Sequence, residues 1–274
     1  MASEVLEPLA QGVYAGIQAQ PGLGRANAGV IVDHDGITVV DTLMVPSQSG
    51  PFAAAVGALG HRVRRIVLTA SQIEFVGGTL SFPMAAVYGT PETSALLDQP
   101  SRPDVYRRLA PACAEEFDDE MVTRPVTHIV AEAAELTPAA ALVPLGGQSA
   151  ENLVVLLPES DIAFGGALCS FGVTPLAFAG DPLVWAETLD AVAELAGTIV
   201  PGHGPVGGQA EVREQQAYLR ACVAAGGDPS GIPPGPWDAW PGREWDPVNV
   251  ERAAMLARGD ASIPPSMLRA VGLG

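Results

Sequence analysis

The chain has 274 residues, 48% of them hydrophobic and 16% charged. That is enough to bury roughly three-quarters of its extended surface in one α/β domain without being forced to split. The net charge is −17, with 31 acidic residues against 14 basic, and every basic residue is Arg. This field repels phosphate backbones and argues against nucleic acid as a partner, and the lack of Lys excludes Schiff-base chemistry and Lys general bases.

The opening stretch MASEVLEPLAQG has no basic leader segment and no apolar one, and no apolar run reaches about 18 residues free of Gly, Pro or charge. Neither export nor a membrane partner is expected. Cys113, Cys169 and Cys222 are odd in number, widely spaced and without a C-x-x-C, which suits a reducing cytoplasm better than a disulfide framework.

Gly29 to Thr42 (GVIVDHDGITVVDT) holds two β-branched runs around Asp33-His34-Asp35-Gly36 and reads as a hairpin. Pro51 to Leu59 predicts a short helix closed by Gly60, and Arg65 to Thr69 a buried strand leading into a polar loop and Gly77-Gly78. Ala85 to Tyr88 reads as a strand with a helix after Pro91, and Pro103 to Phe117 as helix punctuated by Pro111. Val126 to Leu157 alternates strand-like runs with turns at Pro138 and Gly146-Gly147. Ile162 to Phe164 follows as a strand, then an amphipathic helix over Leu183 to Leu195 and a last strand over Thr198 to Val200. Helices are expected over Gln209 to Ala224 and Val248 to Arg258, separated by a Pro/Gly/Trp-rich arm. Strands in two batches, each followed by helices, predict two face-to-face sheets with helices outside, a four-layer αββα sandwich. Residues 1–225 are expected to form that domain. Residues 226–274 would pack on it, because free linkers seldom carry three Trp and this arm has Trp237, Trp240 and Trp245. It would either roof a pocket or fill core.

Five pieces in order resemble the metallo-β-lactamase superfamily over about residues 10 to 225. They are Asn27-Ala28-Gly29-Val30 with Val39-Val40-Asp41-Thr42, then Ile66 to Gly78 (IVLTASQIEFVGG) in place of a T-H-x-H-x-D-H-x-G-G loop, then Gly147-Gln148-Ser149 in place of G-H-[ST]. Phe164 to Ala167 stands in place of F-x-G-D, and Ile199 to Val206 (IVPGHGPV) matches the closing motif. The resemblance implies a site for two zinc ions held by His and Asp. Carried over position by position, those ligands fall on Ala70, Gln72, Glu74, Phe75, Gln148, Ala167 and His203. Only His203 keeps an imidazole, and the chain has four His in all where such sites commonly use about five plus an Asp. No catalytic metal and no other cofactor is therefore expected.

The resemblance then implies a concave site bordered by Ser71, Gln72, Glu74, Phe75, Gln148, Ser149, Cys169 and His203. Two ligand positions that became Gln suit a pocket shaped for a polar ligand, since an amide bonds in both directions. Glu74 and His203 are the acid–base candidates, a carboxylate orienting an imidazole that exchanges a proton. The competing reading has Glu74 solvated and His203 capping its own loop. Cys169 is a candidate nucleophile with His203 as base, or simple packing. Asp41 is expected to close its strand end, and Asp33, His34 and Asp35 to serve the turn. Trp245-Asp246-Pro247 leading into Asn249-Val250-Glu251-Arg252 resembles family members from natural-product pathways, implying a small hydrophobic intermediate as substrate for hydrolase, lyase or cyclase chemistry. The alternatives are a non-catalytic ligand-binding or partner-stabilising protein, and a mononuclear metal site on Glu74, His203 and one further residue. A homo-oligomer is compatible with the sequence.

Overall fold

The computed structural model describes residues 5–119 and 121–273, so the reading of the opening stretch as leader-free falls partly outside the described residues. The first sheet runs in chain order: β1 (Glu7–Ala10), β2 (Val13–Gly16), β3 (Ala28–Asp33), β4 (Gly36–Val40), β5 (Val63–Val67), β6 (Ala86–Gly89) and β7 (His128–Ile129). The second has the order β12-β11-β10-β9-β8, built from β8 (Ala134–Thr137), β9 (Ala140–Pro144), β10 (Leu153–Leu157), β11 (Ile162–Ser170) and β12 (Thr198–His203).

Period-two alternation along these strands divides the core into layers. Val30, Ile37, Val39 and Ile66 face outward from the first sheet into a cluster with Phe52 and Val56 of helix α1 (Pro46–Ala58). Their neighbours Ile31, Val40 and Val67 meet Leu153, Val155, Phe164 and Val200 between the sheets. Val154, Ala163 and Ile199 of the second sheet face the other way, toward Trp185 and Leu189 of the next long helix. The order is helix, sheet, sheet, helix: the four-layer sandwich. Short helices α2 (Ile73–Val76), α3 (Pro91–Leu97) and α4 (Pro103–Leu109) lie between strands of the first sheet, and α5 (Pro182–Val192) and α6 (Gln209–Ala224) cover the second.

The hairpin register pairs Asp33 with Gly36, so His34 and Asp35 form its two-residue turn. Helix α1 begins five residues before the expected Pro51. Pro46 occupies its first turn and Pro51 lies inside, which shows why a proline misleads as a start signal: a helix packed on a sheet can retain one although it costs about 3 kcal/mol. The strand expected over Ile162 to Phe164 continues to Ser170.

The Trp-rich arm divides its labour. Trp237 and Trp240 are buried against Tyr218 of α6, ring centroids 5.9 and 5.7 Å away. Helices α7 (Asp246–Leu256) and α8 (Pro265–Ala270) follow. The W-D-P-V-N-V-E-R run acts as a row of staples. Tyr218 donates to Asp246 at 2.6 Å. Asn249 accepts from the Ala177 N–H at 2.8 Å and donates to the Pro175 carbonyl at 2.8 Å. Arg252 donates to four carbonyls, those of Ala179, Gly180, Ala261 and Ser262, at 2.8 to 2.9 Å. Deleting that buried side chain removes all four bonds and leaves a gap, so Arg252→Ala should lower stability by about 3 kcal/mol. Arg252→Lys should recover only part, because an ammonium cannot span the fork. Chemical denaturation checks both, and an alanine variant within about 0.5 kcal/mol of wild type would overturn the staple.

Candidate functional site

Two loops and one strand end converge at the edge between the sheets. The first follows β5. The chain leaves the strand at Leu68, bends at Thr69 and again at Ser71-Gln72, and the single helical turn α2 presents Glu74 and Phe75. Gly77 and Gly78 let this loop lie directly on the Met44 and Thr42 carbonyls, where any Cβ would overlap oxygen. Thr42 donates from both its N–H and its hydroxyl to the Phe75 carbonyl, at 2.7 and 3.1 Å. Beneath, Asp41 adopts φ 59° and accepts from the Thr69 N–H at 2.8 Å and the Thr69 hydroxyl at 2.7 Å. Its carboxyl is fully buried, and loss of hydration pushes it up to about 7 despite those bonds.

The second loop joins β9 to β10. Ser149 N–H donates to Asn152 at 2.8 Å, and Asn152 donates to Gln148 at 3.3 Å, which fixes the turn that carries Gln148, Ser149 and Glu151. The strand end is β12, which delivers His203. Asn27 staples this turn by donating to the Pro201 and Gly204 carbonyls at 2.9 and 2.8 Å, and the Phe171 N–H donates to the His203 carbonyl at 2.9 Å. The IVPGHGPV motif is thus a rigid mount for one imidazole.

A cavity of about 720 Å³ receives these groups. Ser71, Gln72, Glu74, Phe75, Gln148, Ser149, Ala167 and His203 all line it, together with Trp245 and Met267 from the C-terminal arm. Ala70, the position of the first ligand in the resemblance, is buried in the core below. His203 Nε2 lies 3.2 Å from Glu74 Oε2, with the two side chains 13% and 11% exposed. The angle does not suit a hydrogen bond, and Nε2 has no other partner among the described residues. Glu74 is buried and not solvated; its Oε2 accepts the Gly24 N–H at 2.5 Å. Phe75 meets the imidazole edge-on at a centroid distance of 5.7 Å.

Cys169 is a correction. It is completely buried among Leu168, Phe171 and Trp185, does not border the cavity, and burial pushes its thiol up to about 12. A thiol so desolvated supplies no thiolate near neutral pH, so it packs. Asp33, His34 and Asp35 are the only trio among the described residues whose His, Cys, Asp or Glu ligand atoms lie within 4.8 Å of one another, and they sit in the hairpin turn, outside the cavity.

Glu151 carries no mark in the sequence. It is 3% exposed, borders the cavity and accepts from Ser71 at 2.9 Å and Gln72 at 3.2 Å. The only hint is its place two residues beyond the Gly147-Gln148-Ser149 turn, in a loop that the resemblance already turns toward the site.

Zinc needs three or four convergent imidazole, carboxylate or thiolate ligands. Glu74 and His203 supply two, and Glu151 does not join them within 4.8 Å as a third. The residues present do not fit the metal pair.

No family model matches the chain, and no curated protein matches it by sequence. Solved structures match across most of it. DIM-1 metallo-β-lactamase aligns at TM-score 0.61 and 18% identity, over 78% of this chain and 96% of that one. The metallo-β-lactamase FIM-1 from Pseudomonas aeruginosa, solved in a mono-zinc form, aligns at 0.60 and 21% identity, over 83% and 96%. A metallo-β-lactamase from Pontibacter korlensis aligns at 0.62 and 19% identity, over 78% and 98%. At such identities the likeness is one of fold.

Proposed function

The chain has the metallo-β-lactamase fold, and from that premise we propose that it is an enzyme that works without a catalytic metal, using His203 and Glu74 to move a proton on a small, largely apolar substrate. One observation carries this reading. Among the described residues six buried side-chain polar atoms lack a hydrogen-bond partner, and four of them belong to residues that line this cavity, Gln72, Ser149, Thr174 and His203. Buried polar atoms are almost always satisfied, and clustered exceptions mark a place where a ligand completes the bonding.

Each residue has a role that follows from its surroundings. The Gly24 N–H fixes Glu74, and Glu74 sets a carboxyl oxygen beside the imidazole of His203. Phe75 limits rotation of the ring from one side. A substrate atom beside Nε2 would then exchange a proton with an imidazole already oriented, the arrangement general acid–base catalysis requires. Ser71, Gln72, Gln148 and Ser149 would orient the polar part of the substrate. Hydrolysis, elimination and intramolecular ring closure all fit one proton donor–acceptor in a shielded cavity. The resemblance to natural-product members favours a hydrophobic biosynthetic intermediate.

The test begins with protein purified without a His tag. Elemental analysis should find well under one equivalent of zinc or iron. In a small-molecule extract of the host, the wild type should consume at least one species with EDTA present, and His203→Asn should consume it about 100-fold more slowly or worse. Stoichiometric metal, or turnover abolished by EDTA, overturns the metal-free mechanism. A species held tightly and returned unchanged by the wild type makes the protein a binder instead.

A further inference from the structure

Resting on the reading above, we propose that the cavity selects a cationic amine on an apolar body and discriminates against carboxylates and phosphates. The polar end sets two carboxylates beside hydroxyls and amides that can accept as well as donate. Glu74 and Glu151 both border it, and among the described residues no Arg lies within ion-pair distance of either. No Lys exists to supply a counter-charge. Among the described residues the only Arg that borders the cavity, Arg102, is exposed and pairs with Asp104 at 3.2 Å.

The orientation of Gln72 adds to this. A carboxylate only accepts, so the amide nitrogen must face Glu151, and the carbonyl oxygen Oε1 is left as a buried acceptor with no donor. Ser149 and Thr174, 7% and 6% exposed, add two hydroxyls without partners. An ammonium can donate to acceptors of this kind and neutralise a carboxylate at the same time. An anion in that place meets two carboxylates with no Arg or Lys to offset its charge, and the cost of burying it there disfavours it. Beyond the polar end the wall is apolar, with Leu96, Leu97, Leu109, Leu176, Phe178 and Met267. The net charge of −17 also draws cations toward the surface before they bind.

Three probes that share an eight-carbon tail separate the terms: octylamine, octanoate and octanol, titrated calorimetrically at pH 7 into untagged wild-type protein. Octylamine should bind at least about tenfold more tightly than either of the others. Glu151→Gln keeps the shape and both donors, and should reduce the octylamine advantage about tenfold while leaving octanol unchanged. Equal or tighter binding of octanoate or octanol to the wild type overturns the proposal, as does an undiminished preference in folded Glu151→Gln; should that variant not fold, the wild-type comparison decides alone. Repeating the series with one equivalent of zinc distinguishes the two levels. Zinc that binds and displaces octylamine points to failure of the metal-free reading, whereas no zinc binding with no amine preference removes only this inference.

Discussion

Gly204→Ala should lower stability by about 3–5 kcal/mol or prevent accumulation of folded protein. Gly204 has φ 92°, where an L side chain is strained, and an added Cβ would overlap the Phe171 carbonyl oxygen. That oxygen belongs to backbone, so it cannot move aside as a flexible side chain would. The two costs act together. Gly204 also offers its carbonyl to Asn27, so displacing the turn breaks the staple that holds His203. Gly57→Ala is the control: Gly57 is exposed in α1, where an added methyl would have no neighbour within 4 Å, and the variant should gain about 0.5–1 kcal/mol from helix propensity. Denaturant midpoints measure both. Equal stability of the two variants would show that the closing motif tolerates a side chain and that its glycine is incidental.

The second large effect concerns pH. The Asp41 carboxyl sits at about 7 in the folded chain against an ordinary 3.8, because burial disfavours its anion. Below about pH 4 both folded and unfolded chains carry the proton, and this group costs nothing. Between about 4 and 7 the unfolded chain releases its proton first, so stability falls as pH rises. Above about 7 the whole penalty is present, roughly 4 kcal/mol at about 1.4 kcal/mol per unit. Asn tolerates the left-handed backbone, accepts from the Thr69 N–H and carries no charge. The difference in stability between Asp41→Asn and wild type should therefore be near zero at pH 4, grow in favour of Asn through pH 7 and then level off. A difference that stays constant from pH 4 to pH 8 would show that Asp41 remains ionised throughout.

The architecture was legible because it is written in strong local signals. β-branched runs buried on both faces, the D-H-D-G turn and the glycine-rich closing loop each have one inexpensive conformation. The cluster around His203 could be placed for the same reason: its loops are short and anchored to strand ends. What stayed hidden depends on direction and not on position. Cys169 is two residues from a cavity-lining Ala167, yet it faces the helix layer, and β11 carries irregular register around Gly166 that upsets simple alternation. Glu151 looks like any loop carboxylate until Ser71 and Gln72, some 80 residues earlier, are found to donate to it. The three Trp of the arm are alike in sequence, but two fill core and one borders the cavity.

The staples of Asn249 and Arg252 have a kinetic corollary. The cavity wall at 173–179 is held by groups 72 to 74 residues further along the chain, whereas the sheets beneath it close mostly through neighbouring strands. Contacts between distant segments pay their loop-closure entropy late. During refolding, secondary structure should return before the ability to hold a ligand, and the interval between the two is set by how quickly α7 finds its seat.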